Sequence, residues 1–266
     1  KQENLVVFSR ANRVWPLIGF MPRSYIKEKT IHVINAKSGK ILKSWGENLF
    51  IMPHGLTVDE NENVWVTDVG LNQIFKFNSN GQLLLKLGVA GMSGNDKLHF
   101  DKPTDIAVAK DGSFYVSDGY DNSRIVKFSA KGKYLLEWGK KGDEPGEFNI
   151  PHGITLDSLD NVYVADRENS RIQVFDKNGR FLRQISNSSF GNMCSVAFNK
   201  SKNKLFAIDD LNFLKIKHKG ADVILFDGQG RIQSRFGRSS TTSIEPNWYH
   251  DIAVDKDENI YVGDIL

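Results

Sequence analysis

The 266-residue chain has a single cysteine, Cys194, so no intrachain disulfide can brace it. Its 35 Lys and Arg against 32 Asp and Glu leave a formal charge of only +3, with the two signs mixed along the sequence. That is too small an excess for a nucleic-acid footprint. Long apolar runs are missing too: stretches such as Leu83-Leu84-Leu85 fall far short of the ~20 residues a helix needs to cross a bilayer. Lys1-Gln2-Glu3-Asn4 leads straight into the strand-like Leu5-Val6-Val7-Phe8, so these first residues are expected to be strand, not signal peptide. No amphipathic helix of three turns is found either. With 40% hydrophobic residues the chain can still build a full core. The expectation is one self-supporting domain over residues 1–266, without a membrane segment.

What is present is a repeat. Pro53-His54-Gly55-Leu56-Thr57-Val58-Asp59 is followed by Asn63-Val64-Trp65-Val66-Thr67-Asp68 and Gln73-Ile74-Phe75-Lys76-Phe77. After Asn80-Gly81 comes Gln82-Leu83-Leu84-Leu85-Lys86-Leu87-Gly88. The phrase restarts at Pro103-Thr104-Asp105, Pro151-His152-Gly153, Cys194-Ser195-Val196 and His250-Asp251-Ile252; counted at its second residue, the spacings are 50, 48, 42 and 56. Four short strands per period of roughly 40–50 residues is the pattern of a propeller blade. Residues 1–49 add the later strands of a further blade, ending in Lys40-Ile41-Leu42-Lys43-Ser44-Trp45-Gly46. The pattern predicts an all-β, six-bladed β-propeller of four-stranded repeats whose chain starts and ends inside blades. The first inner strand is expected upstream of Lys1, and the last blade stops after two strands at Asp264.

Inner strands line the channel of a propeller, so equivalent repeat positions ring its axis. The second residue of the phrase reads His54, Thr104, His152, Cys194, His250. Histidine on alternate blades of a six-bladed ring places three imidazoles about 120° apart. Three neutral imidazoles with an open fourth position form the ligand set of a catalytic zinc, whereas carboxylate-only ligation points to calcium or magnesium. The plainer reading makes them structural histidines bonded to strand backbone. It requires three of the chain's six histidines to share one register by chance. His32, His99 and His218 lie outside that register and are assigned no role.

A second ring is expected where the second strands end. Arg167 lies there in Ala165-Asp166-Arg167-Glu168-Asn169, Arg10 in Phe8-Ser9-Arg10, and Tyr120 in Ser117-Asp118-Gly119-Tyr120. Each alone reads as a surface arginine or a packing aromatic. Above a metal they would form an anion-binding mouth with a titratable phenol, suited to a carboxylate substrate.

The phrases Pro-His-Gly-Leu-Thr-Val-Asp, Ser-Asp-Gly-Tyr-x-Asn-Ser-Arg-Ile-Val, Ile-Pro-His-Gly-Ile and Ala-Asp-Arg-Glu-Asn-x-Arg-Ile-Gln resemble the peptidyl-α-hydroxyglycine α-amidating lyases, propellers of NHL-type repeats. The likeness runs from residue 5 to 264. It implies zinc on His54, His152 and His250, Tyr120 as base, and Arg10 and Arg167 serving the site. It also implies a structural calcium, held in part by the carbonyl of Leu56 and by Asp251, with a third ligand before Lys1. Animal members carry two disulfides; the matching positions that can be placed hold Asp121 and Val174, so neither bridge can form. The sequons at Asn187 and Asn199 permit glycosylation.

The implied substrate is a peptidyl-α-hydroxyglycine, supplied by a fused or separate monooxygenase. The implied products are an amidated peptide and glyoxylate, and the implied compartment is the secretory-pathway lumen or the cell exterior. A tyrosine near pKa ~10 is a poor base at neutral pH unless cations such as Arg10 stabilise its phenolate. The alternative is a non-catalytic NHL propeller that presents its loops to a protein or peptide partner. Near-neutral charge argues against RNA as that partner, and a ring of histidines has no purpose in a scaffold. A calcium-dependent propeller lactonase would use carboxylate and amide ligands instead.

Overall fold

The computed structural model describes residues 4–15, 21–210, 221–237 and 248–265. Strands β1 (Asn4–Phe8), β2 (Ile31–Asn35) and β3 (Ile41–Trp45) form one antiparallel sheet. The next sheet holds β4 (Pro53–Val58), β5 (Val64–Asp68), β6 (Gln73–Phe77) and β7 (Leu83–Leu87). It is followed by β8 (Pro103–Val108), β9 (Phe114–Asp118), β10 (Arg124–Phe128) and β11 (Tyr134–Trp138). Then come β12 (Pro151–Leu156), β13 (Val162–Asp166), β14 (Arg171–Phe175) and β15 (Phe181–Ser186). The last complete sheet is β16 (Asn192–Asn199), β17 (Lys204–Asp210), β18 (Ala221–Asp227) and β19 (Ile232–Gly237). Finally β20 (Tyr249–Val254) pairs with β21 (Ile260–Asp264).

Strands adjacent in sequence are adjacent in each sheet, and the inner strands β4, β8, β12, β16 and β20 pack on one another in succession. This is an all-β propeller. Helix among the described residues is confined to one 3-10 turn, Arg167–Asn169.

Burial follows from that stacking. The second strands β5, β9 and β13 have a sheet on either face and are buried at every residue. Their sequences, Val-Trp-Val, Phe-Tyr-Val and Val-Tyr-Val, supply the β-branched and aromatic volume that such a layer needs. Each fully buried large side chain contributes about 1.5–3 kcal/mol. Trp65 and Phe114 bridge adjacent sheets with ring centroids 4.6 Å apart, and Trp138 meets Phe175 at 5.5 Å. Val174, one of the positions matching a family cysteine, is core-buried. Asp121, the other, is exposed and ion-paired with Lys102.

In each four-stranded sheet an aspartate at or next to the end of the second strand has a definite task. Asp68 accepts backbone N–H bonds from Ile51 (2.7 Å), Gly70 (2.8 Å) and Leu71 (2.9 Å). Asp118 accepts from Asp101 N and Arg124 Nε, Asp166 from Asn149 N and Arg171 Nε, and Asp209 from Gly191 N. Each carboxylate thus ties the segment entering a blade to the end of its second strand. Such buried acceptors are tolerated because they are satisfied. The tie fixes the loops that carry Tyr120 and Arg167.

The second residue of the repeated phrase sits in a bulge. Register against the second strand shifts between Pro53 and Leu56, Pro103 and Asp105, Pro151 and Ile154, Met193 and Ser195, and Tyr249 and Asp251. A bulge adds a residue to one strand and re-aims its side chain. The five positions expected to ring the axis therefore all fall within these breaks of the ladder, joined in two blades by Gly55 and Gly153.

Candidate metal centre

The bulges bring His54, His152 and His250 together. Their ring centroids form a triangle with sides of 4.8, 4.8 and 4.8 Å, as expected of equivalent positions on alternate blades. One ligand atom from each lies within 4.8 Å of the others, so the three could hold a metal ion.

The chain also selects their tautomers. His54 Nδ1 lies 2.7 Å from the Thr104 carbonyl, and His152 Nδ1 lies 2.7 Å from that of Cys194. A carbonyl only accepts, so both Nδ1 atoms carry hydrogen and both Nε2 atoms present lone pairs. This is the outer-shell arrangement of metal-binding histidines. Burial, together with the other imidazoles and the arginines, holds His54 and His152 well below the usual histidine value. His250 is pushed down to about 3, by burial first and then by Arg10 and Arg167. All three are neutral imidazoles at neutral pH.

The local sequence explains this approach. Gly55 follows His54, and a Cβ there would lie 2.4 Å from Thr104 O, the carbonyl that receives His54. Only glycine lets the two inner strands close to that distance. Thr67 secures the same carbonyl, donating to Thr104 O (3.0 Å) while accepting from Gly55 N (2.8 Å).

Tyr120 lies over the imidazoles. Its hydroxyl is 2.9 Å from His54 Nε2 and 3.0 Å from His152 Nε2. One phenol hydrogen cannot satisfy two lone pairs, so the donor set is short of one positive partner, which a bound cation would supply. The preceding Gly119 permits this placement, since a Cβ there would stand 1.8 Å from Pro151 O. Burial pushes the Tyr120 phenol up to about 12, while Arg167 and Arg10 pull it down. The arginines thus favour the phenolate, as expected, but burial outweighs them.

The two arginines meet Tyr120 from different elements. Arg10, just beyond β1, donates through Nε to Pro53 O (2.8 Å). Arg167, at the start of the 3-10 turn, exerts its charge on the Tyr120 phenol and lies 3.3 Å from Glu168 Oε1. Asn192 Nδ2 donates to that same Glu168 oxygen at 3.2 Å. Cys194 is buried within the field of Arg167, and burial pushes its thiol up to about 12.

One repeat position further along, Asp251 accepts from Ser195 Oγ (2.7 Å) and Ile252 N (2.8 Å). Sequence reasoning missed its partner, Asp105, which accepts from Ile106 N (2.8 Å) and Ile154 N (3.0 Å). Burial raises both, and the Asp251 charge raises Asp105 further: Asp251 is pushed up to about 6 and Asp105 well above the carboxylate range. Asp105 occupies the same place after Thr104 that Asp251 occupies after His250, a signal visible in the repeat. Leu56 faces Val66 in the ladder and packs against the aromatic core.

The histidines without an assigned role lie elsewhere. His32 bonds Ser44 Oγ (2.8 Å) and His99 bonds Asp96 (2.9 Å); His218 lies outside the described residues. Of the sequons, Asn187 is exposed, but Asn199 is buried with its amide donated to Asp255 O (2.9 Å).

Comparison with known proteins agrees with this geometry. The NHL repeat model matches residues 50–77, 100–128 and 148–175. Over 280 aligned positions and 99% of its length, the chain is 39% identical to peptidyl-glycine alpha-amidating monooxygenase B of Xenopus laevis, of which it covers 32%. It is 36% identical, over its full length, to peptidyl-alpha-hydroxyglycine alpha-amidating lyase 1 of Drosophila melanogaster, covering 54% of that protein. The chain thus spans between a third and about half of these relatives. Among solved structures, the nidogen/laminin complex aligns with a TM-score of 0.67 at 15% identity, over 98% of this chain and 86% of that one. That likeness is one of fold.

Proposed function

We propose, because the chain belongs to the peptidyl-α-hydroxyglycine α-amidating lyase family, that it is itself such a lyase. It would cleave a peptidyl-α-hydroxyglycine into an amidated peptide and glyoxylate. One observation carries the reading: the Tyr120 hydroxyl is shared between His54 Nε2 and His152 Nε2 at 2.9 and 3.0 Å, inside a triangle of neutral imidazoles. We read the sheets as six blades, of which the first and last are incomplete.

His54, His152 and His250 would hold zinc, which supplies a Lewis acid beside the reacting hydroxyl. The remaining work belongs to the chain. The substrate carbon bears a hydroxyl, a carboxylate and the peptide nitrogen. Tyr120 accepts the hydroxyl proton while giving up its own phenol hydrogen, the carbonyl of glyoxylate forms as the C–N bond breaks, and the departing amide nitrogen receives that hydrogen. Tyr120 is placed to relay that proton from one atom to the other. Arg167 offers a bidentate partner for the substrate carboxylate. Arg10, held on Pro53 O, places positive charge beside the Tyr120 oxygen as the proton moves. The Asp105 and Asp251 pair, with the Leu56 carbonyl, would hold the structural calcium, since two buried carboxylates call for a cation between them.

The substrate would come from a monooxygenase, fused or separate, and the compartment would be the secretory lumen or the cell exterior, as the family implies. Elemental analysis alongside glyoxylate release from an α-hydroxyglycine peptide tests the reading. About one zinc per chain with glyoxylate in step with amide supports it. Zinc without glyoxylate moves the chemistry to another substrate, and neither leaves a binding propeller.

A further inference from the structure

The loop after β1 places an indole among the reacting groups. Trp15 packs its ring 4.9 Å from that of Tyr120 at 38°, and meets His54 edge-on at 6.4 Å. The Arg10 guanidinium carbon lies over the same indole, 5.5 Å from its centroid. One half-buried side chain therefore touches a phenol, an imidazole and a guanidinium of the site.

That position is built by the local sequence. Arg13 N donates to Arg10 O (2.9 Å), closing a turn in which Ala11 takes a left-handed φ of 51°. Arg13 then anchors the loop through Nη1 to Ser24 O (3.0 Å) and Nη2 to Ser24 Oγ (3.3 Å). Trp15 also packs against the aromatic core that contains Phe50 and Phe75. Arg10 is held on Pro53 O through Nε, about which its plane could swing. Tyr120 arrives from a different sheet, beyond β9. The indole is the joint between them, and a cation over its face adds about 0.5–2 kcal/mol to that hold.

Resting on the lyase reading, we propose that Trp15 is a positioning residue, whose indole fixes the Tyr120 phenol and the Arg10 guanidinium relative to each other above the histidines. It takes no proton and binds no metal. Its effect on turnover passes through Tyr120 and Arg10.

The test compares Trp15→Ala and Trp15→Phe with the parent protein, alone and in Tyr120→Phe and Arg10→Ala backgrounds. W15A is expected to lower kcat about 10–100-fold, the scale of a small misplacement, while zinc content stays at the parent level. W15F, which keeps an aromatic face, should recover most of the loss. In either second background, W15A should cost much less than it does alone, because coupled residues are not additive. An equal cost in all backgrounds, or full kcat in W15A, overturns the proposal. A crystal structure of W15A reads positioning without an assay: Tyr120 and Arg10 are expected to leave His152 Nε2 and Pro53 O. If both stay in place, the proposal fails even where the lyase reading holds. If the parent protein releases no glyoxylate, the lyase reading fails while the crystal structure still decides the placement.

Discussion

His152 donates its Nδ1 hydrogen to the carbonyl of Cys194, 2.7 Å away and one blade further on. The bond leaves the His152 Nε2 lone pair facing its counterpart on His54. His152→Ala removes one corner of the triangle, so metal content and turnover should disappear together. Tyr120→Phe leaves all three imidazoles in the chain, and it should keep the metal while losing roughly 10²–10⁴-fold in kcat. Metal analysis and glyoxylate release on the two variants separate the roles. Full activity in Tyr120→Phe would remove Tyr120 as the base.

Gly119 gives a steric prediction. A Cβ at this position would lie 1.8 Å from the Pro151 carbonyl oxygen, so Gly119→Ala must move the Tyr120 loop or β12. Overpacking of this kind costs about 1–3 kcal/mol. Activity should fall more steeply than stability, because Tyr120 is the next residue along. Denaturant midpoints and kcat, measured together, check that order; an unchanged kcat would mean that the loop yields without moving the phenol.

Much of this was legible in the sequence because propeller repeats convert spacing into geometry. Alternate-blade histidines became an equilateral triangle, and Arg10, Arg167 and Tyr120 met at its mouth because each follows a second strand. Electrostatics was not legible: whether arginines or burial dominate Tyr120 depends on how much solvent the packed loops exclude. Asp105 was missed for a related reason. Its register after Thr104 matches that of Asp251 after His250, but the charge of one bearing on the other showed only in the structure. The bulge that aims each histidine was also hidden, since one strand's sequence does not reveal the register of its partner.

The Asp105 and Asp251 pair predicts a pH-dependent stability. Burial pushes Asp251 up to about 6 in the folded chain, above the ~3.9 of an ordinary aspartate, so its ionisation opposes folding. Without a divalent cation, stability should fall as the pH rises from about 4 through 6, and Asp105, raised further, extends the fall above 6. Burial pushes Asp118 and Asp209 up to about 6 with the same sign, so the comparison is with Asp251→Asn. In chelator that variant should lose less Tm over this window than the parent. Added calcium should raise the parent's Tm at neutral pH and leave the variant unchanged. Parallel Tm profiles with and without calcium would dismiss a cation between these carboxylates.

Glu168 supplies the last prediction, through its competition for Arg167. The Glu168 carboxylate lies 3.3 Å from Arg167 Nε and is steadied by Asn192 at 3.2 Å. It is thus the anion that a substrate carboxylate must rival. Glu168→Gln keeps the shape and the bond to Asn192 but removes the charge. The freed guanidinium should then bind a carboxylate-bearing substrate more tightly, lowering KM several-fold. Arg167→Gln should do the opposite, raising KM by about 10–100-fold, the equivalent of one charge-assisted hydrogen bond of ~1.5–3 kcal/mol. Both effects should vanish for a substrate whose carboxylate is replaced by a neutral amide. A KM in Glu168→Gln equal to or above the parent's would show that Glu168 orients Arg167 for the substrate and does not compete with it.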